Sequence, residues 1–506
     1  MIFNDEFNSP TRDITRVYSI KFLTVFRLQI PRNILSNVMS NLVSLLQNSS
    51  SPVITAVLLC LEKLMLMRDK LKNFVLKDIV NNNEMFSKLF SGIISIIERE
   101  TNPMAMRCVL RIFNIADANC YIPNLNNISN TMNGILGKII DNSGNGEFNY
   151  FYFEAISVIS KNLANNQNNG IGLLKSFEMS LSQNFNKIME TAVLDLMGAY
   201  IQYYTFFLHL SKDFSGNCNN VLQNVLNIQS WNLNMKYLFG PFIKFLKINF
   251  LNNSQILNQP DTPNKIFSIC EQLKNFKSYN EMFALLEFFV NFHSESSNYL
   301  NMVGNILKST VDIFNSVKTS NPKSYNELGT LIMMLLAKLS VHMDLDMLMN
   351  LVNQVGGFDF LTQISEFFDF INNTNDKKLA LHFYLNVMTR YSMNLQSNLK
   401  TLLIKASIVI INFYKINFRL LGRSDNRDDI AYVSSANNVI LNADVKIAIP
   451  KYEEIYKMDE TCTFFSAVSA LNQNLNTNCL ANIIGEMSKR DQDSLKTIAS
   501  RYNYPL

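Results

Sequence analysis

The sequence predicts an all-α protein, a HEAT-repeat α-solenoid in which antiparallel helix pairs stack into a superhelix. Three observations carry that reading. Apolar residues recur at spacings of three and four along most of the 506 residues, which is the helical period. The stripes come in pairs joined by short polar turns, at a period of roughly forty to forty-seven residues. Gly (16) and Pro (11) are scarce, too few for the tight turns of sandwiches, propellers and barrels. An irregular all-α bundle without a true repeat is the alternative that periodicity alone leaves open.

The first pair is the clearest. Ile14, Val17, Tyr18, Phe22, Val25 and Phe26 form one helical stripe. Ile30-Pro31 interrupts it, because a residue before proline avoids the helical region. A second stripe follows through Leu35, Val38, Met39, Leu42, Leu45 and Leu46. The run Asn48 to Ser51 then supplies capping residues, Pro52 suits the first turn, and a third stripe runs from Ile54 to Met65. Asn102-Pro103 opens a helix through Leu110 and Phe113 that ends at Ile122-Pro123, and Leu125 to Ile140 pairs with it. After a loop at 141–146 come Phe148 to Leu163 and Ile171 to Met189. Further helices are expected at 192–210, 235–250, 266–276, 280–292, 300–317, 325–339, 378–391 and 399–421. The chain divides into a disordered N-terminal segment (1–11), helical repeats (12–424) and a less regular helical region (425–506) that begins with an acidic loop at Asp425, Asp428 and Asp429.

Composition narrows the function. A chain 48% hydrophobic and 17% charged is no disordered polyelectrolyte. Lys+Arg 45 against Asp+Glu 41 provides no basic stripe, so nucleic acid is not the expected partner. The seven cysteines (Cys60, Cys108, Cys120, Cys218, Cys270, Cys462, Cys479) are odd in number and contain no C-x-x-C pair, which suits a reducing compartment better than a disulfide framework or zinc ribbon. The N-terminus interrupts any signal-peptide core with Asp5, Glu6, Arg12 and Asp13. Leu196 to Leu210, the most membrane-like stretch, is too short to cross a bilayer and contains Gln202 and His209, so it is read as a buried helix and no membrane insertion is expected.

No catalytic, cofactor-binding or metal-binding residue is assigned. P-loop, dinucleotide, zinc-protease, hydrolase-elbow and kinase motifs are all missing. Asn168-Asn169-Gly170-Ile171-Gly172 reads as a loop, since it has neither a preceding strand nor a third spaced glycine. His209, His293, His342 and His382 lie within or at the ends of apolar stripes and read as packing residues. The 37 Phe and 23 Met read mainly as core. Charged residues of the second helices, such as Arg32, Lys138 and Lys175, could face inward toward a partner, with a solvated face as the alternative. The first helix should also present an apolar edge that includes Val17, Phe22 and Phe26.

Three stretches resemble one family. Tyr18-Ser19-Ile20-Lys21-Phe22 leading into Phe26-Arg27-Leu28-Gln29-Ile30-Pro31, then Leu61-Glu62-Lys63-Leu64 with Met67-Arg68, then Phe148-Asn149-Tyr150-Phe151-Tyr152-Phe153-Glu154-Ala155-Ile156, are similar in order and spacing to the importin-α re-exporter family (exportin-2, or cellular apoptosis susceptibility protein). Tyr150 stands where that family usually has His. The resemblance implies a karyopherin of the importin-β superfamily, a non-enzymatic HEAT superhelix. Such a receptor shuttles between nucleus and cytoplasm through the nuclear envelope, meets nuclear pore proteins, and exports importin-α together with GTP-bound Ran. The matching stretches belong to the second half of those proteins, without the N-terminal repeats that make the main Ran contact. The expectation is thus a cargo-binding arch, from a fragment or a shortened homologue, with Ran binding doubtful. A HEAT scaffold with no Ran cycle is the alternative, and an enzyme on a solenoid a remote third. No partner-contacting residue is carried over.

Overall fold

The computed structural model describes residues 13–190, 193–214, 216–253, 255–256, 259, 261–293, 297–395, 398–421 and 450–504. The segment 1–11 and the acidic loop at Asp425 to Asp429 lie outside the described residues. Among the described residues there is no β-strand, only one antiparallel bridge between Arg68 and Phe74. The helices fall into two compact units, one built from residues 13–225 and 234–252, the other from 226–233, 253–421 and 450–504.

The first unit contains α1 (Asp13–Val25), α2 (Arg32–Asn48), α3 (Ser51–Met65), α4 (Asn83–Arg99), α5 (Pro103–Ile115), α6 (Leu125–Asp141), α7 (Gly146–Ala164), α8 (Gly170–Glu190), α9 (Leu194–Ser211), α10 (Asn217–Val225) and α11 (Phe239–Asn252). Helices α1, α3, α5, α7, α9 and α11 pack in series, each on the next, and form one layer. In the other layer α2 packs on α4 and α6 on α8. This is the helix-pair stack that the apolar stripes demand, since each helix buries its stripes only against neighbours.

Asparagine caps and stitches the stack. Asn82, Asn102 and Asn145 each accept from first-turn amides of the helix they precede, satisfying donors that a helix leaves open. Pro103 sits in the first turn after Asn102, as expected. Ser50 precedes α3 in extended conformation but makes no side-chain cap bond. Other amides reach the preceding repeat. Asn145 donates to the Thr101 carbonyl at 2.8 Å, Asn162 to Phe113 at 2.8 Å, and Asn184 to Asn133 at 2.9 Å, across 44, 49 and 51 residues. At these positions asparagine supplies a set of repeat-to-repeat hydrogen bonds.

One boundary and one helix differ from the sequence reading. Helix α5 ends at Ile115, where Ala116 turns extended, well before Ile122-Pro123. Ile122 itself is helical (φ −50, ψ −42) and opens a 3₁₀ turn with Pro123 in its first turn. The bias of a pre-proline residue is overruled by the packing of Cys120 and Tyr121, which are buried beside α4 and α5. Helix α4, which the sequence analysis omits, carries a stripe of Phe86, Leu89, Phe90, Ile93, Ile94 and Ile97.

Helix α1 departs in its orientation. Ile20 and Leu23 are its buried residues, whereas Ile14 (75% exposed), Tyr18 (67%), Phe22 (51%) and Val25 (68%) point outward. Phe22 and Phe26 lie on the expected apolar edge; Val17 is half-buried.

The second unit contains α12 (Thr262–Asn275), α13 (Tyr279–His293), α14 (Ser297–Val317), α15 (Pro322–His342), α16 (Leu345–Asn353), α17 (Gly357–Ile364), α18 (Thr374–Arg390), α19 (Leu399–Leu421), α20 (Pro450–Tyr456), α21 (Glu460–Leu475), α22 (Cys479–Ile484) and α23 (Lys489–Arg501). Here α13, α15, α18 and α21 form the serial stack. Gly329 of α15 makes room for Phe367, whose ring would lie 2.3 Å from an added Cβ.

Two outcomes are expected. Gly329→Ala should lower stability by about 1–3 kcal/mol through overpacking, read from urea unfolding. Replacing Tyr18 and Phe22 together by Glu should reduce self-association in sedimentation velocity without lowering the melting temperature, because both side chains are exposed.

Candidate partner-binding surface

The serial layer of the first unit is enclosed to an unusual degree. No residue of α5 is classed as exposed, and beyond Gly146 α7 exposes only Glu147, Tyr150 and Lys161. What remains accessible there is a short row of side chains across α3, α5 and α7, with one buried carboxylate beneath it.

That carboxylate is Glu62, 0% exposed. Arg107 Nη2 lies 3.1 Å from its Oε1, Arg111 Nε 3.6 Å from the same oxygen, and Lys63 Nζ 3.3 Å from Oε2. An ionised carboxylate at this depth requires such partners, since a buried charge without them costs several kcal/mol. Burial first, and then the neighbouring Arg107 charge, lower the Arg111 pKa, and Glu62 works against that shift. Glu154 of α7 is 1% exposed and belongs to the same charged neighbourhood. Burial first, then the Glu154 charge, pushes the Tyr150 phenol up to about 12, with Arg111 opposing. The Arg107 guanidinium sits 5.5 Å from the Phe151 ring centre, within cation–π range. Tyr150 meets Phe151 edge to face at 5.3 Å. Lys63, Arg107 and Tyr150 are the members that reach solvent.

The motif Phe148 to Ile156 thereby acquires physical roles. Phe148, Phe153, Ala155 and Ile156 are core. Asn149 donates to the Ser143 carbonyl at 2.8 Å and Tyr152 to the Met132 carbonyl at 3.0 Å, fixing the helix start and its partner helix. Met67-Arg68 holds the connection after α3, where Arg68 covers the Phe74 ring at 3.9 Å and donates to the Lys72 carbonyl.

The other residues singled out in the sequence are tied to neighbours. Arg32 lies 3.9 Å from Asp69, Lys138 donates to the Glu98 carbonyl at 3.0 Å, and Lys175 pairs with Asp213 at 2.7 Å. Asn169 is left-handed (φ 59), and a Cβ on Gly170 would meet the Ala164 carbonyl oxygen at 2.6 Å. This stretch is the close corner between α7 and α8. His209 is exposed near the end of α9, not packed. His382 is half-buried and bonds Asn386 at 3.1 Å. His293 closes α13, and its side chain lies outside the described residues.

His342 belongs to a buried cluster of the second unit that sequence reasoning missed. Its Nε2 lies 2.8 Å from the Tyr452 hydroxyl, which donates to Glu287 Oε1 at 2.7 Å, while Lys338 donates to Glu287 Oε2 at 3.0 Å. These partners are up to 165 residues apart, so no local spacing signals them. Lys378 adds a bond to the Tyr456 carbonyl at 2.8 Å and an ion pair with Glu460. Together they clasp α20 against α13, α15 and α18.

Six of the seven cysteines are buried and all are free; Cys462 is exposed. Among the described residues no group of three or more His, Cys, Asp or Glu could hold a metal ion, and no helix is long and apolar enough to cross a membrane. Leu196 to Leu210 lies in α9 with most of its side chains buried.

Helix pairs stacked in two layers, with no strand among the described residues, define a HEAT-type repeat protein whose assets are surfaces. The chain belongs to the CAS/CSE family: the model for the C-terminus of CAS/CSE proteins matches residues 62–416. It is similar to the exportin Cse1 in its cargo-free, cytoplasmic state, at 16% identity and a TM-score of 0.67, covering 98% of this chain and 51% of that one. The chain thus spans about half the length of that exportin. Looser likenesses, with TM-scores of 0.47 and 0.37 and 11% identity, link it to a Kap121p mutant (98% of this chain, 45% of that one) and to yeast importin-β, Kap95p (99% and 68%). None of the curated proteins compared with the chain matches it.

The two clusters generate two expectations. Glu62→Ala should cost about 3–5 kcal/mol by leaving buried cations unpaired, whereas Glu62→Met combined with Arg111→Met should recover much of that loss; chemical denaturation compares them. Burial holds the His342 pKa down to about 4 against 6.5. Between those values the unfolded chain binds the proton and the folded chain does not, so stability falls as pH drops through this window. Asp376 is shifted up, chiefly by burial, and acts in the opposite sense. Wild type should therefore lose about 2 kcal/mol more than His342→Gln, which cannot titrate, between about pH 7 and pH 5.

Proposed function

We propose that this chain is the cargo-binding part of a nuclear transport receptor that carries importin-α from nucleus to cytoplasm in a cycle driven by GTP-bound Ran. The observation that carries this reading is the CAS/CSE family match across residues 62–416, supported by a fold shared with an exportin along 98% of the chain. Binding requires no catalytic group. The enclosed layer offers a rigid row of charged and aromatic side chains, and a stack of helix pairs presents such rows over a long surface. Nuclear pore proteins and shuttling through the nuclear envelope belong to the same proposal. Ran dependence is part of the same proposal. A HEAT scaffold that holds its partner without a Ran cycle is the alternative, resting on the helix-pair stack itself.

The test is retention of purified importin-α on the immobilised chain, with and without Ran loaded with a non-hydrolysable GTP analogue. Retention strengthened by loaded Ran is expected. Equal retention in both conditions would favour the scaffold, and no retention in either would sink the transport reading.

A further inference from the structure

Lys63, Arg107 and Arg111 all lie within 3.6 Å of the Glu62 carboxylate, three cations around one buried acid, while Glu154 lies beside Tyr150. Arg111 is only 8% exposed and out of a partner's reach. Arg107 keeps 22% of its side chain exposed although its Nε is buried. A guanidinium carries five donors in a planar fork, and Glu62 lies near one nitrogen of Arg107 at 3.1 Å. Phe151 holds that fork from one side, and an immobilised guanidinium binds a carboxylate at lower entropic cost than a free one. Lys63, at the other Glu62 oxygen, brings a mobile ammonium, and Tyr150, edge to face with Phe151, a phenolic donor.

We propose that Lys63, Arg107 and Tyr150 form a docking notch for an acidic side chain of the protein partner. The fork and the ammonium would grip the carboxylate, with the phenol as an additional donor. A small local excess of positive charge at Glu62 suits a carboxylate and is too small to track a phosphate backbone; the chain as a whole carries only +4. The identification of importin-α as the owner of that side chain rests on the transport reading. The notch and its chemistry do not.

The experiment titrates the whole chain into fluorescein-labelled octaglutamate, with octalysine and single-stranded oligothymidylate as controls, followed by anisotropy at roughly 50 and 300 mM salt. Octaglutamate should bind in preference to both controls and weaken with salt. Lys63→Glu should weaken it about tenfold, Lys63→Arg should retain it, and Arg107→Gln should lose it, with circular dichroism checking that each variant is folded. No binding of octaglutamate, equal binding by Lys63→Glu, or tighter binding of the oligonucleotide overturns the notch. The same variants in the importin-α retention assay separate the two claims. Full retention by Lys63→Glu rejects the notch as a contact and leaves transport standing. Octaglutamate binding by a wild-type chain that never retains importin-α rejects transport and leaves the notch.

Discussion

The first unit depends on one constraint: α5 and α7, in the middle of the serial layer, are enclosed nearly all the way round and exist only between neighbours. Helix α5 buries all but four of its thirteen residues, and α7 is buried from Tyr152 through Ser160 without interruption. At about 25 cal/mol per Å² of apolar surface, no such helix is stable alone in water, and a pair joined by a turn still leaves both outer flanks open. Stacking is therefore obligatory, and each interface supplies what the next helix needs. The outward residues of α1 illustrate the same rule at a flank, where Ile14, Tyr18, Phe22 and Val25 have the composition of an interior face.

Burial on this scale also dictates how charge is used. Where sequence places Glu62 and Arg111 in the enclosed layer, the two are held 3.6 Å apart, since a buried charge without a partner is costly. The cluster across α3, α5 and α7 is thus both a structural fixture and a shaped surface, because the atoms that neutralise Glu62 also bring Arg107 and Lys63 to the solvent boundary. Amides solve the equivalent problem for the backbone. Asn145, Asn162 and Asn184 reach carbonyls one repeat back, using a residue short enough to bridge packed helices with little side-chain entropy to lose.

Legibility in the sequence follows the range of the interactions. Helix existence, pairing and the α5 cap at Asn102 were readable because the period of three and four and the Asn-Pro signal are local. The omission of α4 was avoidable, since Asn82, Phe86, Leu89, Phe90, Ile93 and Ile97 have the same pattern as helices that were identified. The true end of α5 was not readable, because Tyr121 is held by Phe86 and Phe113 from other helices. Nor could period alone orient α1, whose sequence is apolar on two sides. For the candidate surface, Glu62 and the Phe148 to Ile156 segment stood out through family resemblance. Their convergence with Arg107 and Arg111 needed the stack, because the members lie on three helices.

The second unit adds a different kind of bond to the same architecture. Interactions in the first unit mostly link residues one repeat apart, so loss of one contact is felt by adjacent helices. Tyr452 instead closes a path to Glu287 across 165 residues and to His342 across 110. Releasing α20 would strip Glu287 and His342 of a shared partner at once. Because an unpaired buried acceptor costs more than a made hydrogen bond contributes, the clasp is cooperative: its parts are stable together and unfavourable in any subset. Nearest-neighbour stacking grows a solenoid of any length, whereas a clasp of this kind specifies where one chain segment must return.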